Sequence, residues 1–124
     1  MTTMLKRVSP VLKVSDTRRA LAFYQDRLGF HCTFKLDDDL HPEIPYAVVE
    51  RDQVQIHLQL APSSAGLSSC HVTVEGVDAL YSAFHQAGVT VIRAIEDASY
   101  GARDFTIADV DGNNLTFAQR LDPG

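Results

Sequence analysis

Residues 53–60 read QVQIHLQL, and the fold follows from how that stretch is read. Val54, Ile56, Leu58 and Leu60 alternate with Gln53, Gln55, His57 and Gln59. A period of two sends successive side chains to opposite faces of a strand, so one face is wholly aliphatic and suits an apolar layer. A solvent-washed second face usually carries Lys, Glu or Thr. This one carries amides around an imidazole, which predicts a strand that lines a pocket.

Working outward, residues 46–50 (YAVVE) form a second strand, joined to the first through Arg51 and Asp52 as a hairpin. Upstream, residues 8–14 (VSPVLKV) read as a short strand, with Pro10 favouring an edge or a strand start. Ser15 is placed to cap a helix over residues 16–28, whose Ala20, Leu21, Tyr24 and Leu28 recur at helical spacing. Gly29 ends that helix in a left-handed turn. Residues 30–36 (FHCTFKL) form a strand, and residues 37–45, with three aspartates and two prolines, form a loop. The first half is therefore βαβββ.

The Pro/Gly/Ser-rich residues 61–68 read as a linker, and the order then repeats. Residues 69–74 (SCHVTV) alternate as a strand. Residues 77–87 form an amphipathic helix with Leu80, Phe84 and Ala87 inward, stopped by Gly88. Strands follow at 89–93, 103–108 and 114–119, with a loop at 94–101 and an Asp-Gly turn at 109–113. Overlaying QIHL on LTFA sets His57 opposite Phe117. The expected fold is α+β: a single domain of two βαβββ modules, 8–60 and 69–119, in pseudo-twofold pairing, with mixed sheets curling around a central cleft.

Composition bounds the function. The 124 residues are 45% hydrophobic and 22% charged, an ordinary globular balance. No apolar run approaches the ~20 residues of a membrane helix. The net charge of −5 argues against nucleic acid, whose phosphates need a basic stripe, and favours a cationic ligand. Cys32 and Cys70 have no CxxC spacing and read as free thiols, in keeping with a reducing cytoplasm.

The segments V-S-D-T-x-x-A-L-A-F-Y-x-D-x-L-G-F (14–30), E-G-V-D-A-L (75–80) and Y-G-A-R-D-F-x-I-x-D-V-D-G-N (100–113) resemble the vicinal-oxygen-chelate superfamily. That superfamily includes glyoxalase I, extradiol dioxygenases and the bleomycin-resistance binding proteins. Its metalloenzymes take ligands from four pocket-facing positions, which the motif alignment sets on Ser9, His57, His71 and Phe117. Two imidazoles are short of the three protein ligands that a catalytic metal normally has. A divergent lyase, isomerase or dioxygenase binding Zn, Ni, Fe or Mn through His57 and His71 is thus the alternative reading, with a third ligand from Glu50, His31 or a second subunit.

The leading expectation is a homodimeric, non-enzymatic, cofactor-free binding protein that sequesters a small cationic, partly aromatic ligand at the subunit interface. The bleomycin-resistance proteins share an aromatic-Gly-Arg-acidic-Phe run, which Tyr100, Arg103, Asp104 and Phe105 resemble, although Ala102 is inserted here. Phe34 and Tyr46 fall on other aromatic positions of that subfamily, and the chain has no Trp. The resemblance implies a ligand site of Phe34, Tyr46, Gln55, His57, Gln59, His71, Tyr100, Arg103, Phe105 and Phe117. Aspartates 37–39 could attract a cation.

Overall fold

The computed structural model describes residues 2–37, 40 and 42–121. Its elements run β1 (Val11–Val14), α1 (Thr17–Asp26), β2 (His31–Lys35), β3 (Tyr46–Arg51), β4 (Val54–Leu60), one 3-10 turn (Pro62–Ser64), β5 (Ser69–Thr73), α2 (Val77–Gln86), β6 (Thr90–Ala98), β7 (Ala102–Ala108) and β8 (Asn114–Arg120). They form two four-stranded mixed sheets with matching orders, β1-β4-β3-β2 and β5-β8-β7-β6. In each sheet the first strand lies parallel to the last, and the other pairs are antiparallel. The α+β plan of two similar βαβββ halves is therefore the observed one.

Each sheet buries one face. Leu12, Val14, Val49, Ile56 and Leu58 of the first sheet join Ala20, Leu21, Tyr24 and Leu28 in the core. Val72, Phe105, Ile107, Leu115 and Phe117 of the second pack with Val77 and Phe84 of α2. Leu80 and Ala87 lie partly buried against the same cluster. Both helices stop before a left-handed glycine, Gly29 (φ 75°) and Gly88 (φ 77°). No helix among the described residues is long and apolar enough to cross a membrane.

Three local expectations change. Asp16, not Ser15, caps α1, accepting from the Arg19 amide at 3.1 Å. The Ser15 hydroxyl turns away to Asp111 of the other module. β6 runs on to Ala98 instead of ending at Arg93, because its register shifts let residues 96–98 pair with 102–104.

The third change concerns β8. In hydrogen-bond register Val11 faces His57, whereas His71 faces Thr116. The β8 residue standing where His57 stands in β4 is therefore Thr116, one position before Phe117. A slip of one residue reverses every side chain in a strand. Leu115 and Phe117 are the counterparts of Ile56 and Leu58, all four in the core.

The modules are joined by polar contacts from the β7–β8 turn. Asp109 is buried and accepts the Tyr24 hydroxyl at 2.9 Å, the amides of Asp111 and Asn113, and the Asn113 side chain. Asn113 also donates to the Lys13 carbonyl at 2.9 Å. Gly66 of the linker passes so near the Asp111 carbonyl that a Cβ would lie 2.2 Å from it, so only glycine fits there.

Candidate functional site

The face of each sheet opposite its helix is built mostly from polar and aromatic side chains. On the first sheet it carries Ser9, Gln55, His57 and Gln59 with Tyr46, Val48 and Glu50, and Phe34 pairs with Val48 at its margin. Phe34 is 49% exposed, Leu36 51% and Val11 43%.

The polar groups form one directed chain. Gln55 Nε2 donates to the Glu50 carboxylate at 3.0 Å. A carboxylate only accepts, so the Gln55 oxygen must point the other way, toward Ser9 (3.1 Å) and His57 Nε2 (2.9 Å). In a neutral His57 the proton then sits on Nε2, leaving Nδ1 to accept from the Tyr46 hydroxyl at 2.6 Å. Hydrogen bonds from Gln55 and then Thr33, aided by Arg7, hold the Glu50 carboxyl below its usual range. The chain ends on the Tyr46 oxygen, whose free lone pair is an acceptor. The Tyr46 and His57 rings meet edge to face at 5.5 Å.

On the second sheet, Asp104 and Thr106 of β7 share the open face with His71 and Thr116. Arg93 of β6 donates to Asp104 at 2.7 Å and to Thr106 at 3.2 Å, and Thr106 bonds Thr116 at 2.8 Å. Asp104 is only 2% exposed, and the hydroxyl of Tyr100 donates to its second oxygen. The Arg93 guanidinium holds the Asp104 carboxyl below its usual range, and the same carboxylate raises the Tyr100 phenol. The ring of Tyr100 is thereby pinned at its hydroxyl end while the residue stays 59% exposed.

The ten expected site residues thus divide. Phe34, Tyr46, Gln55, His57 and Gln59 share the open face of the first sheet, and His71 and Tyr100 belong to that of the second. Arg103, Phe105 and Phe117 lie on the helix-covered faces instead. Arg103 pairs with Asp97 (2.8 Å) and Asp78 of α2 (3.2 Å). Phe105 stacks on Phe117 at 5.4 Å, and both touch Phe84. Arg103 and Asp104 form no ion pair with each other, because neighbours in a strand point to opposite faces.

Arg93 and Asp104 are the functional-face residues that periodicity missed. The bulged β6 hides the alternation that would have set Arg93 opposite Thr106. Asp37 pairs with Arg18 and Lys35, while Asp38 and Asp39 lie outside the described residues.

A divalent metal would meet His57 with both ring nitrogens already engaged, by Tyr46 and Gln55, and His71 on the other sheet. Among the described residues no three His, Cys, Asp or Glu side chains are grouped to hold a metal. The donor set does not fit a three-ligand centre.

Residues 6–117 match the family model of the Glyoxalase/Bleomycin resistance protein/Dioxygenase superfamily. The chain belongs to that superfamily. Within it, the chain is 30% identical over 132 residues to bleomycin resistance proteins of Geobacillus stearothermophilus and Staphylococcus aureus, covering 90% of this chain and 95% of each of them. The bleomycin-binding protein of Streptomyces verticillus, solved with copper(II)-bleomycin, superposes with a TM-score of 0.73 at 26% identity, over 92% of this chain and 97% of that one. A second bleomycin-binding protein, solved with bleomycin, superposes at 0.78 with 21% identity over 94% and 99% of the two chains, a likeness of fold. Superfamily membership establishes the architecture and does not by itself fix the chemistry.

Proposed function

We propose that the protein is a non-enzymatic binding protein of the bleomycin-resistance type. It sequesters a cationic, partly aromatic antibiotic or metabolite between open sheet faces at the interface of a cytoplasmic homodimer, without a cofactor. The observation that carries this reading is the directed chain Glu50–Gln55–His57–Tyr46 beside exposed Phe34. It presents an acceptor, the Tyr46 oxygen, next to an aromatic surface. A ligand rich in N–H donors with a planar ring system complements both. Pinned Tyr100 and His71 supply a second such surface. The net charge of −5 draws cations toward it.

Exposed apolar residues at the edges of the first sheet support the dimer reading. Val11, Phe34 and Leu36 are 43–51% exposed, and a second copy of the chain would cover such apolar surface. The kinship to named bleomycin resistance proteins makes bleomycin the first ligand to try. Titration calorimetry of the purified protein with bleomycin tests it. Saturable binding that weakens in Tyr46→Phe supports the proposal, and flat heats up to high micromolar ligand remove bleomycin as the ligand.

A further inference from the structure

The pseudo-twofold symmetry between the modules is broken at one end of their seam. At the other end, the five residues of the β7–β8 turn reach the end of β1 and the start of α1. They fill that space with the contacts of Asp109, Asp111 and Asn113 to Tyr24, Ser15 and Lys13. The symmetry-related turn between β3 and β4 is two residues, Asp52 and Gln53. It is too short to fill the matching space against β5 and α2. A cavity of about 530 Å³ is left there.

Its floor is apolar, formed by Phe30, Val72, Leu80, Phe84 and Phe117 among others, and its rim carries Arg51, Asp52 and Glu75. The volume lies in the range of small-molecule sites, and an apolar floor under a polar rim, which also includes Gln53 and Thr73, is a construction they use. The cavity is lined from the helix side of both sheets, so it is separate from the open faces described above.

The rim selects a sign of charge. Arg51 donates to the Leu28 carbonyl at 2.8 Å, and its Nε lies 3.9 Å from Asp52, whose carboxylate offsets its charge. The first amides of α2 are committed, since Gly76 and Val77 both donate to Gln119 Oε1, at 2.9 and 3.0 Å. The α2 amides are thus closed to an anion, and the rim sets two carboxylates, Asp52 and Glu75, against the one guanidinium of Arg51. Glu75 is exposed and has no ion-pair partner among the described residues. We infer that this seam cavity is a second ligand site, which takes an ammonium group carried on an apolar, aromatic body. The ring rests on Val54, Val74 and Leu80, the partly buried apolar residues of the lining, with Phe84 and Phe117 beneath them, and the ammonium faces Glu75.

The test compares three probes of one shape by calorimetry on the full chain: 2-naphthylmethylammonium, 2-naphthylmethanol and 2-naphthoate. The ammonium should bind once per chain and about tenfold more tightly than the carboxylate, as expected for one rim charge attracting the first and repelling the second. Glu75→Gln, at an exposed position, should weaken the ammonium about threefold and leave the alcohol unchanged. Leu80→Trp, which fills the floor, should abolish binding of all three. Equal affinity for the three probes, insensitivity to Glu75→Gln, or binding that survives Leu80→Trp would each overturn the inference. Because the Proposed function is read from bleomycin and Tyr46→Phe, the two sites fail independently.

Discussion

The Tyr46 hydroxyl lies 2.6 Å from Nδ1 of His57, and its direction is set by a carboxylate two residues removed in the chain of bonds. Glu50 orients the Gln55 amide, the amide fixes the His57 tautomer, and the tautomer makes Tyr46 the donor. Tyr46→Phe leaves Nδ1 without a partner in a half-buried site. The expected cost is about 1 kcal/mol of stability and about a tenfold loss of ligand affinity. Urea denaturation and calorimetry on the same variant separate the two effects.

The face assignments predict opposite phenotypes for phenylalanines that look alike in sequence. Phe84→Ala should destabilise by about 3–5 kcal/mol, because the ring is buried among Phe105 and Phe117. Phe34→Ala, half exposed on the open face, should cost less than about 1 kcal/mol and instead weaken ligand binding. Thermal unfolding of both variants beside their binding isotherms checks the assignment.

Much of this is legible in the sequence, and what is not has separate physical causes. Alternation in residues 53–60 gave the β4 faces, and helical spacing with Gly29 and Gly88 gave both helices and their ends. Overlaying QIHL on LTFA sets Phe117 one residue out of register, whereas Thr116, a single small polar residue among apolar ones, marks the open face. Arg93 is lost because a bulge interrupts the period on which reading depends. Ser15 and Asp16 both suit an N-cap, and only the contact of Ser15 with Asp111, 96 residues away, decides between them.

The seam between modules depends on Asp109, which accepts four hydrogen bonds in a buried site. Asp109→Ala should cost about 3 kcal/mol, and Tyr24→Phe about 1 kcal/mol. Equilibrium unfolding in urea should still show one transition, with its midpoint shifted in that order.

Alkaline pH should loosen the same region. Burial, reinforced by Asp109, pushes the Cys70 thiol up to about 11 and raises the Tyr24 phenol well above its ordinary value. A raised folded pKa means that the folded state keeps a proton the unfolded chain loses. Stability is therefore complete below the unfolded values and falls as pH climbs from about 9 toward 11. Unfolding free energies measured at pH 8 and pH 10.5 should differ, and Cys70→Ala should shrink the difference.

Acid acts on the second open face. Asp104 is held low by Arg93, so its contribution is present above about pH 4 and is lost as pH falls through its folded value. Asp104→Asn should flatten the acid limb of the stability profile and free the Tyr100 ring, seen as faster side-chain motion by NMR.

Native mass spectrometry of the purified protein with added bleomycin tests the central claim most directly, because it reads oligomeric state, ligand and metal together. The account predicts a dimer that takes up the ligand and carries no metal of its own. A monomer that takes up no bleomycin, or a chain with one stoichiometric divalent metal lost in His57→Ala, would contradict it.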